Sequence, residues 1–196
     1  MKMNTLSTFA LAAALAVAAT ASSAAMISTD TTPDLSLYGL NGSFSNVSVV
    51  SGNLSGVYAS PFGAGTQSYY TVGSPGLTAS AATLTLAAAA TSFSLLWGSI
   101  DAYNAIEFLL GGMSVDTIDG GELGLGTAGN VTAGVDITGL AMFDTVKFYS
   151  NFGQSGDTAA FEFVTTAPAA IPVPAAGLML LAALGGLGAM RRRKSA

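Results

Sequence analysis

Ala79-Ser-Ala-Ala-Thr83-Leu84-Thr85-Leu86-Ala-Ala-Ala-Ala90 is the stretch whose reading decides the fold. Alanine is the best helix former, so composition alone favours a helix here. The Thr-Leu-Thr-Leu core of the segment argues otherwise. Its apolar residues recur every second position, which sends both leucines to one face of a strand and both threonines to the other. A strand is therefore expected.

The same period of two appears at Phe161-Glu162-Phe163, where it predicts two buried rings and a carboxylate on a wet face. Working outward, Leu35–Tyr38, Val47–Val50, Leu54–Ala59, Tyr69–Val72, Ser92–Trp97, Ala105–Leu110, Val131–Ile137, Thr145–Tyr149 and Ala160–Val164 are short runs rich in β-branched and aromatic residues. Gly, Asn, Asp or Ser punctuates most of the gaps between them. The expected fold is all-β, an antiparallel sandwich of the jelly-roll or lectin-like kind spanning 26–164. Ile27–Pro33 is polar and reads as a disordered new terminus.

Chemistry is narrowed sharply by two zeros. The chain has no Cys and no His, which removes disulfides, thiolate sites, and the commonest general base and metal ligand. All 11 acidic residues lie between Asp30 and Glu162, and Lys147 is the one cation in that interval. Phosphate recognition needs clustered Lys and Arg, so nucleic acid is not a partner to expect.

Both ends are apolar. Residues 1–25 read as a signal peptide for Sec export and signal peptidase: Lys2 gives the positive start, Leu6–Ala19 the apolar run and Ser23-Ala24-Ala25 the small-residue cleavage site. At the other end, an Ala, Thr and Pro linker opens the segment 165–174. The stretch 175–190 carries no charged, hydroxyl or amide side chain, and 191–196 opens with Arg191-Arg192-Arg193-Lys194. Extended back to Ile171, the apolar stretch approaches the roughly 20 residues that a helix needs to cross a bilayer. A basic cluster behind such a span stays cytoplasmic, so the expected topology is body out and tail in.

Pro172-Val173-Pro174-Ala175, the Gly- and Leu-rich span and the terminal basic cluster together resemble the PEP-CTERM class of sorting signals, in the variant written Val-Pro-Leu-Pro-Ala. Ile171 and Val173 stand where that variant has Val and Leu. The resemblance implies recognition of this motif by an exosortase-like membrane enzyme and removal of the tail. It also implies delivery to the surface or matrix of a Gram-negative bacterium, in a setting of exopolysaccharide and biofilm production.

Within the body, Trp97-Gly-Ser-Ile-Asp101-Ala-Tyr103-Asn104 holds the chain's one tryptophan and reads as a hairpin corner. As structure, Asp101 and Asn104 cap turn amides over a packed Trp97. As function, Trp97 stacks on a sugar while Asp101, Tyr103 and Asn104 hold hydroxyls. Turn chemistry is the commoner use of these residues. Asp116, Asp119 and Glu122 surround Gly120-Gly121 in an oxygen-rich loop, a candidate calcium site without the EF-hand order. No other cofactor is expected. Nothing raises one carboxylate pair above the rest as a glycosidase acid and base, so no catalytic residue is assigned. The expected function is that of an exported, non-enzymatic surface or matrix protein, with a carbohydrate-binding or calcium-dependent adhesive module as the alternative.

Overall fold

The computed structural model describes residues 24–73, 81–152 and 160–166. Lys2, the apolar run Leu6–Ala19, the motif Pro172–Ala175, the span 175–190 and the cluster Arg191–Lys194 lie outside the described residues. Among the described residues, no helix is long and apolar enough to cross a membrane.

The described chain is all-β. Its strands are β1 (Met26–Asp30), β2 (Tyr38–Gly39), β3 (Phe44–Ser45), β4 (Ser48–Ser51), β5 (Ser68–Val72), β6 (Ala81–Ala90), β7 (Phe93–Gly98), β8 (Ala105–Leu110), β9 (Met113–Asp119), β10 (Ala133–Thr138), β11 (Phe143–Tyr149) and β12 (Phe161–Thr166). They form two antiparallel sheets. One has seven strands in the order β1-β10-β7-β12-β5-β4, with β2 also on β12; the other has five in the order β3-β6-β11-β8-β9.

The pairing is nested. Strand β8 pairs β9, β7 pairs β10, β6 pairs β11 and β5 pairs β12, all antiparallel. This is one long hairpin rolled so that successive rungs fall alternately in the two sheets. Its tip is a two-residue loop, Gly111-Gly112 between the paired Leu110 and Met113, with φ of 58° and 83°. Positive φ at both loop residues gives the twist that a tight hairpin needs, and glycine adopts it without a Cβ clash.

The alternation that predicted a strand at Thr83–Leu86 holds: Ala82 and Leu84 are buried while Thr85 is exposed. Inward residues of both sheets make the core, with Phe148 from β11 lying on Phe163 from β12 at 4.1 Å between ring centroids and 2° between planes. Phe44 meets both rings edge-on, and Trp97 stacks on Phe161 at 4.6 Å. Such aromatic contacts add about 0.5–1.5 kcal/mol each beyond the area they bury.

Several expectations are corrected. Met26–Asp30 is an edge strand on β10 rather than a disordered terminus, since its backbone completes that ladder. Leu35–Leu37 is a short 3-10 turn capped by Asp34, whose carboxylate accepts from the Ser36 amide at 3.0 Å. Leu54–Ala59 is a loop closed on itself by Leu54 and Tyr58, because Gly56 at φ 74° turns the chain back. Strand β9 takes in Asp116 and Asp119, in place of the loop expected there. The segment Gly98–Asn104 is a crossover from one sheet to the other rather than a hairpin.

Replacing Phe148 by Ala removes the ring shared by both sheets and is expected to destabilise the fold by about 3–5 kcal/mol. Met113→Ser, at a position 75 % exposed beside the hairpin tip, is expected to stay within about 0.5 kcal/mol of the parent. Urea unfolding of the two variants checks both values.

Candidate functional site

The crossover Gly98–Asn104 is stitched to the chain around it by backbone bonds. Ile100 donates to the Val131 carbonyl at 3.0 Å, Gly129 to Ile100 at 3.1 Å, Gly120 to Asn104 at 2.9 Å and Phe152 to Tyr103 at 2.8 Å. Ser99 sits at φ 48°, a left-handed conformation that a residue with a Cβ adopts only under constraint. Gly98 is tightly enclosed: a Cβ there would lie 3.0 Å from Pro61 and 3.3 Å from Glu162. The corner is held as one rigid piece.

Trp97 does not face solvent. It is fully buried on the inner face of β7, so it offers no surface to a sugar, and its part in a glycan site is corrected. The physical reason is its register: Phe93, Leu95 and Trp97 share the inward face, as expected for alternate residues. Asn104 is also fully buried, donating weakly to the Ser99 carbonyl at 3.4 Å. Asp101 and Tyr103 do meet at a cavity.

That cavity, of about 630 Å³, lies outside the seven-stranded sheet and beneath the loop Asn53–Ala59. Ser99, Asp101 and Tyr103 line it from the crossover, Ala128 and Gly129 from a neighbouring loop, and Ala160 and Glu162 from the last strand and its approach. Glu162 is the residue that period-two reasoning placed in water. It is 1 % exposed. Its strand does alternate, but the outer face is roofed by the loop and the residues just after it, where Tyr58 and Phe62 pack with Tyr69, Leu96 and Val164 in a second apolar cluster.

Glu162 is held at one oxygen. Its Oε1 accepts from the Ala59 amide at 2.9 Å, and the Ser99 hydroxyl bonds the same carboxyl. Its Oε2 is buried with no hydrogen-bond donor, as is Oδ2 of Asp101, which is 6 % exposed. Burial pushes the Glu162 carboxyl up to about 7, assisted by the nearby Asp101 charge. Burial likewise raises Asp101, against the opposing bond from Tyr103. Both shifts have the sign expected of carboxylates removed from water without a cation.

Asp116, Asp119 and Glu122 have other duties. Asp116 accepts from the Thr117 amide at 2.8 Å, Asp119 from the Gly121 and Glu122 amides at 2.8 and 3.1 Å, and Glu122 from the Asp119 amide at 3.2 Å. The last two form a reciprocal turn cap. Among the described residues, no three acidic groups are gathered around one point.

Comparison with protein-family models, curated proteins and solved structures returns no match.

A pH dependence follows from Glu162. Its folded carboxyl binds a proton more tightly than the unfolded one, whose ordinary value is 4.5. Between that value and about 7 the native state therefore holds the extra proton, and stability falls as pH rises. In EDTA, Glu162→Gln is expected to remove this slope and to exceed the parent by about 2–3 kcal/mol at pH 8. Denaturant titrations at pH 5 and pH 8 measure it.

Proposed function

We propose that this chain is an exported surface or matrix protein without catalytic activity of its own, processed through its C-terminal cassette. The observation that carries the reading is the ordered run of Pro172-Val173-Pro174-Ala175, an uncharged span 175–190 and Arg191–Lys194. In this reading residues 1–25 are removed by signal peptidase after Sec export. The span then holds the chain in the inner membrane, with the basic tail inside, until an exosortase-like enzyme cuts near Pro174. The body is displayed at the cell surface or released.

The nested pairing of β5–β12 supports a jelly-roll assignment for the body, an architecture used in lectin-like domains.

A second reading is a carbohydrate-binding or calcium-dependent adhesive module engaged with exopolysaccharide. The cavity under Asn53–Ala59 favours it, being lined with hydroxyl, amide and carboxyl groups. Glycan-array binding with and without calcium separates the two readings.

Intact mass of the protein recovered from its native surface or medium tests processing. Loss of residues 1–25 together with a cut near Pro174 is the expected result. A mass that retains 175–196 sinks the sorting reading. Deletion of Arg191–Lys194, or replacement of Pro174, is expected to leave export intact and to stop maturation. Pulse-labelled fractions resolve the precursor from the product.

A further inference from the structure

Two buried carboxylates face one cavity, and among the described residues no cation answers them. The sole basic residue of the body, Lys147, lies on β11 in the opposite sheet, in register with Glu107. Leaving a pair of acids in this state is costly, because an unpaired buried charge loses its hydration and gains nothing in return. Nine-tenths or more of each side chain is buried, and each keeps one oxygen free of any donor: Oε2 of Glu162 and Oδ2 of Asp101. Neither free oxygen is used by the turn that holds Asp101 or by the roof that holds Glu162.

We propose that Asp101 and Glu162 form a binding site for a hard divalent cation, with Ca²⁺ as the species that fits. The donor set decides the class. The side chains that can ligate at the cavity offer carboxyl, hydroxyl and amide oxygens, and the chain has no His or Cys to attract zinc or copper. Two carboxylates balance a double charge. Ser99 and Tyr103 bring hydroxyls to the same carboxyls, and the roofed cavity has room for the waters that complete a Ca²⁺ shell. Magnesium is the poorer fit, since it demands a near-ideal octahedron and yields its waters reluctantly.

The position has a structural meaning. Asp101 belongs to the crossover between the sheets, Glu162 to the last strand, and the Ala59 amide ties Glu162 to the roof. An ion between the two acids clamps these elements together. This inference rests on the cavity alone and stands or falls separately from the processing reading.

The test uses the full chain in mild detergent at pH 7.5, with unfolding followed by the near-ultraviolet signal of Trp97. CaCl₂ at about 1 mM is expected to raise Tm by about 4–8 °C over EDTA, with Mg²⁺ giving a smaller shift. Equilibrium dialysis of the same protein with radioactive calcium is expected to find about one ion per chain. Asp101→Asn and Glu162→Gln are each expected to abolish the shift and the bound ion, whereas Asp119→Asn keeps both. An unchanged Tm with no calcium retained at about 5 mM overturns the proposal, as does a shift that survives in the Asp101→Asn, Glu162→Gln double variant. Because dialysis reads the parent protein, a variant that fails to fold leaves that decision intact.

Discussion

The stack of Phe148 on Phe163 is the contact on which the rest of the molecule depends. The two rings come from different sheets, lie parallel at van der Waals distance and are touched by Phe44 from the side. A flat pair in the middle of a sandwich sets the separation of its layers, and neighbours must then fill that gap without voids. Trp97 on Phe161 extends the same layer towards the crossover. The inner packing thereby fixes where Gly98–Asn104 leaves β7, and with it the position of Asp101.

Much of the framework was written in the period of the sequence. The alternation at Thr83–Leu86 outweighed a strongly helical composition because one face had a core to join. The Ala105–Leu110 strand has the bounds that its residues suggest. Strand β9 was harder to see. Met113-Ser-Val-Asp-Thr-Ile-Asp mixes poor strand formers with good ones, and it forms at the edge of its sheet, where its two half-buried aspartates discourage further pairing. Met26–Asp30 was missed for a related reason: an edge strand borrows its stability from β10, so its own residues carry little signal.

The acidic cavity shows the limit of local periodicity. Alternation states which residues share a face and says nothing of what covers that face. Glu162 is two-sided in this sense, correctly out of phase with Phe161 and Phe163 yet enclosed by a loop far away in sequence. Asp101 could be picked out by its distinctive segment, but Glu162 had no motif around it. The only available hint was the apolar content of Val57-Tyr58-Ala59, too rich for an exposed loop, which suggested a strand and turned out to be a roof.

The rolled hairpin also sets an order of events in time. Each strand from β5 to β8 finds its rung partner only among β9 to β12, and β12 sits between β7 and β5 near the middle of its sheet. A chain emerging amino end first therefore cannot close that sheet until Thr166 is free. Contacts so distant in sequence make for slow folding, and among the nested rungs only the one at the Gly111-Gly112 tip closes locally. The body thus stays unlocked through most of its own synthesis and becomes rigid only once its last strand is in place.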